Sequence, residues 1–406
     1  MNRWLSVLGG LLMNLSLGSL YGWSLFVPAL QAEMGLTREQ ASNIFSVAIA
    51  VFALFFLAGG RLQDKRGPYI VSLLGSVLLG AGYLLSSRAG SLEAMYWTFG
   101  GVVGAGCGFG YVTPIGVASK WFPDRRGLVI GIMVAGFGGG SAMLGPLLPG
   151  WIAAHGWRSV MVVLGGVYFA ATLLGAQLLK NPPAGWKPEG WKPGPQAAAA
   201  ASRDFAPADV MRTQQFWRML AGYTLGTSAG LMVISQVLPF IRGVLPEIGG
   251  ALAGTAVLVG AVGNVSGRIF SGWLSDHMGR VRTLCLMVLV SAAVLPALGR
   301  VSALALLWPA LLIVYYCFGT QLSLYASLTA DFFGTRNVGA NYGLVFLAYG
   351  MAGIIGPKLG GRIFDQYRSY TLAFDIAAGL LVAAFALIAT LRAPARKDRP
   401  VAAGAS

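Results

Sequence analysis

Twelve mainly apolar stretches, each about as long as a helix must be to cross a bilayer, make up most of this chain: residues 4–30, 39–60, 69–87, 94–118, 127–153, 158–179, 216–241, 248–272, 281–299, 303–329, 338–361 and 370–392. Short polar joints separate them. Hydrocarbon offers no hydrogen bonds, so a segment that crosses it must satisfy its backbone internally, and single runs of this kind do so as α-helices. The fold class that follows is an all-α integral membrane protein of twelve transmembrane helices. Composition agrees, since 56% of the 406 residues are hydrophobic and only 11% charged, whereas a water-soluble domain carries about a quarter charged. The net charge of +15 does not mark a nucleic-acid binder, because Lys and Arg stand singly or in small groups rather than as a basic stripe. Cys107, Cys285 and Cys317 all lie inside apolar runs and read as small packing residues, not as a disulfide or metal framework. No cofactor or metal is expected. No span holds a nucleophile, base and metal constellation, so an enzyme is not expected either.

Charge sets the orientation. With the N-terminus in the cytoplasm, about 20 basic residues fall on that side and about seven on the other, which is the asymmetry of the positive-inside rule. Both termini are therefore expected inside the cell and the protein in a plasma membrane; compact loops suggest a bacterial inner membrane. The first run follows only Met1, Asn2 and Arg3 and is too long for a signal-peptide core, so it counts as a helix.

The chain is also duplicated. Gly60-Arg61-Leu62-Gln63-Asp64-Lys65-Arg66-Gly67, between spans 2 and 3, recurs 212 residues later as Gly272-Trp273-Leu274-Ser275-Asp276-His277-Met278-Gly279, between spans 8 and 9. Trp121-Phe122 and Arg125 recur as Phe332-Phe333 and Arg336, and Gly145-Pro146 as Gly356-Pro357, both at an offset of 211. Three matches at nearly one offset define an internal repeat. Residues 181–215, with Pro182, Pro183, Pro188, Pro193, Pro195, Pro207 and an alanine run, read as a flexible cytoplasmic linker. The expected organisation is a six-helix bundle over 1–180, the linker, a second bundle over 216–392 and a cytoplasmic tail over 393–406. In the repeated motif, Gly60, Gly67, Gly272 and Gly279 let helix ends approach closely, and Asp64 and Asp276 can accept from helix N-termini and guanidinium groups.

The segment from Gly60 to Gly67 and its copy at 272–279 resemble the loop signature of the major facilitator superfamily, and the resemblance covers the whole chain. It implies two parallel repeats that rock about a site near the bilayer midplane, hence transport by alternating access. Within it, Tyr21-Gly22-Trp23-Ser24-Leu25-Phe26, Lys120-Trp121-Phe122-Pro123-Asp124-Arg125-Arg126-Gly127 and Met211-Arg212-Thr213-Gln214-Gln215-Phe216-Trp217 are similar to the oxalate/formate antiporters and their relatives, the monocarboxylate transporters. That likeness places Asp64, Arg66, Asp124, Arg125 and Asp276, with the four motif glycines, in a set that controls conformation.

Arg268 stands inside span 8, where a permanent charge demands an anionic ligand or a structural partner. Asn264, four residues earlier, lies on the same helix face. At the 212-residue offset the two correspond to Phe56 and Phe52, so the repeat scaffold itself does not require the charge. A bound carboxylate fits better, because guanidinium matches it through two parallel hydrogen bonds. Oxalate/formate antiporters pair this Arg with a Lys in span 11, where this chain has Tyr349. One cation neutralises a monocarboxylate but leaves oxalate with a surplus charge in low dielectric. Lys358, near the outer end of span 11, reads as a snorkelling side chain. Tyr21, Tyr111 and Tyr349 are candidate hydroxyl donors to the ligand, with Phe137 closing on its apolar end; either Tyr315 or Tyr316 could reach the pore. The expected activity is secondary transport of lactate- or pyruvate-like anions with protons, and the alternative is oxalate/formate-type exchange. A cation unpaired in the occluded carrier favours exchange as such. His155 and His277 lie in loops, and the Asp and Lys that animal monocarboxylate transporters carry in spans 8 and 1 are absent, so the substrate carboxylate itself could bring the proton. Expected partners are a small organic anion, protons and lipid, with no nucleic acid, and the chain is expected to be monomeric.

Overall fold

The computed structural model describes residues 2–144, 147–183, 185–191, 204–244, 250–301, 303–367 and 370–394. Gly145-Pro146, the alanine run of the linker and nearly all of the tail lie outside them. Regular structure among the described residues is entirely helical. Span 1 is built from α1 (Arg3–Leu17), a 3-10 turn (Gly18–Gly22) and α2 (Trp23–Met34). Spans 2 and 3 are α3 (Arg38–Arg66) and α4 (Pro68–Ser86). Span 4 begins as α5 (Leu92–Met95), passes through a π-helical stretch (Tyr96–Val103) and continues as α6 (Gly104–Trp121). Then come α7 (Arg126–Leu144), α8 (Leu148–Leu178) and a short α9 (Pro207–Met211). The second half holds α10 (Gln214–Val244), α11 (Gly250–Met278), α12 (Arg280–Leu298), α13 (Leu304–Phe333), α14 (Val338–Tyr367) and α15 (Tyr370–Ala389).

Ten helices among the described residues are long and apolar enough to cross a membrane. The remaining two expected spans are α10 and α11, which are 31 and 29 residues long and flank the undescribed positions 245–249. Local chemistry sets several boundaries. Thr37 and Gln40 form a capping box that starts α3, each side chain taking the other's backbone N–H. The repeated motif ends in the same sharp turn twice, with φ of 84° at Gly67 and 91° at Gly279, a region open to glycine at little cost. α7 reaches Leu144, and α8 is broken at Gly156, φ 76°, which falls between the expected spans 127–153 and 158–179; Pro149 stands in the first turn of α8, where a missing N–H costs nothing.

Packing repeats between the halves. α1 packs on α7 and α8, α3 on α6, and α4 on α8; their counterparts are α10 on α14 and α15, α11 on α13, and α12 on α15. The halves meet along two seams, α3 against α14 and α7 against α11. Glycine makes both seams possible. A Cβ at Gly60 would run into the carbonyl of Gly339, one at Gly272 into that of Gly127, and one at Gly131 into that of Arg268. The face that carries Gly67, Gly279 and the linker is called the linker face below. The linker is docked at both described ends: Trp186 packs edge-on against Trp121, and the Phe205 carbonyl accepts from Asn337 and Asn341.

Candidate functional site

Arg268 sits mid-way along α11 with no solvent exposure. Its Nη1 donates to the carbonyl of Val134 on α7, in the other half, so one donor is held by a helix carbonyl. Nε and Nη2, which together form the side-on edge of the guanidinium, have no hydrogen-bond partner, and no carboxylate among the described residues lies within ion-pair distance. The Oδ1 of Asn264 and the hydroxyl of Tyr111 are buried without a partner as well. The hydroxyls of Tyr21 and Tyr111 lie beside the guanidinium, within reach of its charge and its N–H groups. Leaving several buried polar atoms unpaired costs about 1–3 kcal/mol each, more for a charged group. A ligand with acceptor oxygens and a hydroxyl would satisfy all of them at once.

Tyr349 takes a different role from a free donor, since its hydroxyl is bonded to that of Tyr21 across the two halves. Phe137 lies edge-on to both Tyr21 and Tyr111, with ring centroids 5.0 and 4.9 Å apart. Around these the structure adds residues that were not singled out as site candidates. Phe52 touches Tyr111, Phe137, Phe346 and Tyr349, and Phe56 stacks on Phe346 at 4.3 Å. Phe52 and Phe56 are the repeat counterparts of Asn264 and Arg268, which is the signal that could have found them. Tyr315 packs against Gly260 and Tyr316 lends its backbone to the Gly267 contact, so both serve the α11–α13 interface. Lys358 is exposed.

At the linker face each motif aspartate grips a helix of the opposite half. Asp64 accepts from the backbone N–H groups of Gly339 and Ala340, at 3.3 and 2.8 Å, at the start of α14. Asp276 accepts from Gly127 and Leu128, both at 3.0 Å, at the start of α7. These are helix N-termini, whose free N–H groups and dipole favour an anion. Asp276 also pairs with Arg280, which reaches Asp331 at 3.0 Å, and Asp331 pairs across the seam with Arg126. Sequence reading missed Arg126, Arg280 and Asp331; the available signal was that Asp331 stands where the first repeat has Lys120, a charge reversal at one offset. Asp124 pairs with Arg3 inside its own half, at 2.9 Å, while Arg66 and Arg125 are exposed. Gly67 and Gly279 shape the adjoining turns.

A twelve-helix duplicated bundle with such seams defines a class of membrane carrier. Residues 10–357 match the sequence profile of the Major Facilitator Superfamily, and 247–405 match it a second time; the chain belongs to that superfamily and is an integral membrane transporter. It is 29% identical to the uncharacterized MFS-type transporter YhjX of Escherichia coli K12 over 354 residues, 87% of this chain and 86% of that one. It is 29% identical to the oxalate:formate antiporter of Oxalobacter formigenes over 410 residues, 98% and 93% of the two chains. It is 27% identical to monocarboxylate transporter 12-B of Danio rerio over 389 residues, 90% and 81%. The crystal structure of the transporter FucP shares the fold, with a TM-score of 0.71 at 15% identity over 95% of this chain and 97% of that one.

Proposed function

We propose that this transporter carries small monocarboxylates, of the lactate and pyruvate kind, together with protons by alternating access, and that it lies in a bacterial inner membrane with its linker face in the cytoplasm. The moving bodies are residues 1–180 and 216–392, joined by 181–215. The observation that carries the reading is the buried Arg268 with its Nε and Nη2 unpaired. A carboxylate laid side-on against that edge makes two charge-assisted hydrogen bonds and cancels the charge. Tyr111 then donates to the same carboxylate, Asn264 meets a polar group on the neighbouring carbon, and Phe52, Phe137 and Phe346 enclose the apolar end. Asp64, Asp276 and the motif glycines Gly60, Gly67, Gly272 and Gly279 serve the closure of the cytoplasmic side, with Arg66, Asp124 and Arg125 at its margin. Oxalate/formate-type exchange is the second reading. It is favoured by the 29% identity to the oxalate:formate antiporter over nearly the whole chain. It needs a second cation, and Tyr349 is engaged with Tyr21 instead.

The test is uptake of labelled lactate, formate and oxalate into proteoliposomes, with and without an inward proton gradient. The expected result is lactate uptake stimulated by the gradient, abolished in Arg268→Ala and about two- to tenfold weaker in apparent affinity in Tyr111→Phe, the scale of one hydrogen bond. Oxalate exchange indifferent to the gradient would select the second reading. Full activity in Arg268→Ala would overturn the site.

A further inference from the structure

The cluster around Arg268 has one edge that is not sealed. Tyr111, Phe137, Phe52, Phe346 and Tyr349 are each at most 2% exposed, whereas Tyr21 is only partly buried. Tyr21 belongs to the 3-10 turn that interrupts the first span, a little past its mid-length counted from the linker face, while Tyr349 lies about as deep in α14 as Arg268 does in α11. The Tyr21 ring approaches Phe45, itself partly exposed and about two turns from the end of α3 that lies away from the linker face. The open edge therefore points to the opposite face.

Among the described residues, bonds between the halves include the Asp64 and Asp276 contacts to helix N-termini, the Arg126–Asp331 pair, the Arg268–Val134 bond and the Tyr21–Tyr349 bond. All but the last lie at the linker face or on Arg268 itself. Both tyrosines stand beside a weak point of their helix. Tyr21 lies between α1 and α2, where the helical hydrogen-bonding pattern changes, and Tyr349 precedes Gly350, Gly353, Gly356 and Pro357, the last of which removes a backbone donor from α14.

We infer that the Tyr21–Tyr349 hydroxyl bond is the gate between the central site and the face opposite the linker. It is a single neutral bond, while the linker face is closed by several bonds to charged groups, which are individually stronger. Its opening lets α2 and the outer part of α14 swing from the two weak points. The gate rests on the transport reading only for what passes through it, and its test needs no substrate.

Spin labels on Ala32→Cys and Arg362→Cys, both exposed near the opposite face on α2 and α14, report the separation of the halves there once the native cysteines are replaced by serine. A second pair, Arg66→Cys and Arg336→Cys, reports the linker face. Tyr21→Phe and Tyr349→Phe should each raise the ratio of long to short distances at the opposite face by about three- to tenfold, the scale of one hydrogen bond. The double variant should shift it no further, because each single change already removes the shared bond. Linker-face distances should stay as they are, which also shows that the variants are folded. Unchanged opposite-face distances in both single variants, or additive shifts in the double, would overturn the gate. Failure to carry any monocarboxylate would sink the substrate reading and leave these distances untouched.

Discussion

Replacing Asp276 by Asn keeps the shape of the side chain and removes the charge that holds α7 to the second half. In the native chain one carboxylate oxygen accepts from Gly127 and the other from Leu128, both at 3.0 Å. In Asp276→Asn one of these positions becomes an NH2 group facing an N–H, so that bond is lost outright, and the other becomes neutral. A bond to a charged group contributes about 1.5–3 kcal/mol, against about 1 kcal/mol for a neutral one. The side chain is 14% exposed, so water recovers a small part. Arg280 keeps Asp331 as a partner and is not orphaned. The net loss is about 2–3 kcal/mol, which lowers the ratio of closed to open linker face by about 30- to 150-fold. Spin labels at Arg66→Cys and Arg336→Cys read that ratio directly as a shift from short to long distances. Asp375→Asn is the control, since Asp375 pairs with Arg300 within one half and away from this face and should leave the distances alone. A shift in Asp276→Asn below about threefold, or an equal shift in the control, would refute the assignment of Asp276 to cross-seam closure.

Gly60→Ala should act on the same seam by steric means. Its Cβ would collide with the backbone carbonyl of Gly339, which has no rotamer to yield, so α3 and α14 must separate; linker-face distances should lengthen and net uptake should fall by at least tenfold. Gly166→Ala, whose Cβ meets nothing within 4 Å in α8, should leave both readouts intact and raise thermal stability slightly. On the opposite face, the Arg158 hydrogen bond holds the Glu33 carboxyl below its ordinary 4.5. A carboxylate with a lowered value adds stability above its unfolded value and loses it as the pH falls through the folded one, so this contribution is complete at pH 6. Thermal unfolding of wild type and Glu33→Gln should therefore differ by a constant, small amount from pH 7 to 5.5 and converge only below the ordinary value; a difference that changes between pH 7 and 5.5 would show that Glu33 titrates there.

Hydropathy and the 212-residue offset were enough to reach twelve helices, because a bilayer imposes length on each span and duplication imposes register. Arg268 was equally legible: a permanent charge inside an apolar run has few explanations. The aromatic wall was not. In a soluble helix a polar stripe reveals which face is buried, but in lipid Phe52, Phe56 and Phe346 look the same whether they face the centre or the hydrocarbon. The 3-10 turn at Gly18–Gly22 and the π-helical stretch at Tyr96–Val103 were hidden for a related reason, since glycine serves close packing and helix breaks alike. Charged cross-seam partners escaped because Arg126 and Asp331 lie 205 positions apart, and a loop charge near the membrane surface already has a sufficient cause in the positive-inside rule.

The duplicated frame explains why closure is symmetric and the centre is not. Gly60 and Gly272 line the two seams, Asp64 and Asp276 each take two N–H groups of the opposite half, and Gly67 and Gly279 make the same turn. Halfway into the membrane the two copies part: α11 presents Asn264 and Arg268 where α3 presents Phe52 and Phe56. On the proposed reading, a carboxylate is therefore held by the second half through charge and enclosed by the first mainly through aromatic surface. On that reading, rocking the halves apart withdraws Phe52, Phe137 and the single Tyr111 bond from the ligand, while the ion pair and Phe346 stay with the second half. A carrier built from two like-charged halves would have to break its strongest contact in the dry state, and the divergence of one repeat at positions 52 and 56 removes that obstacle.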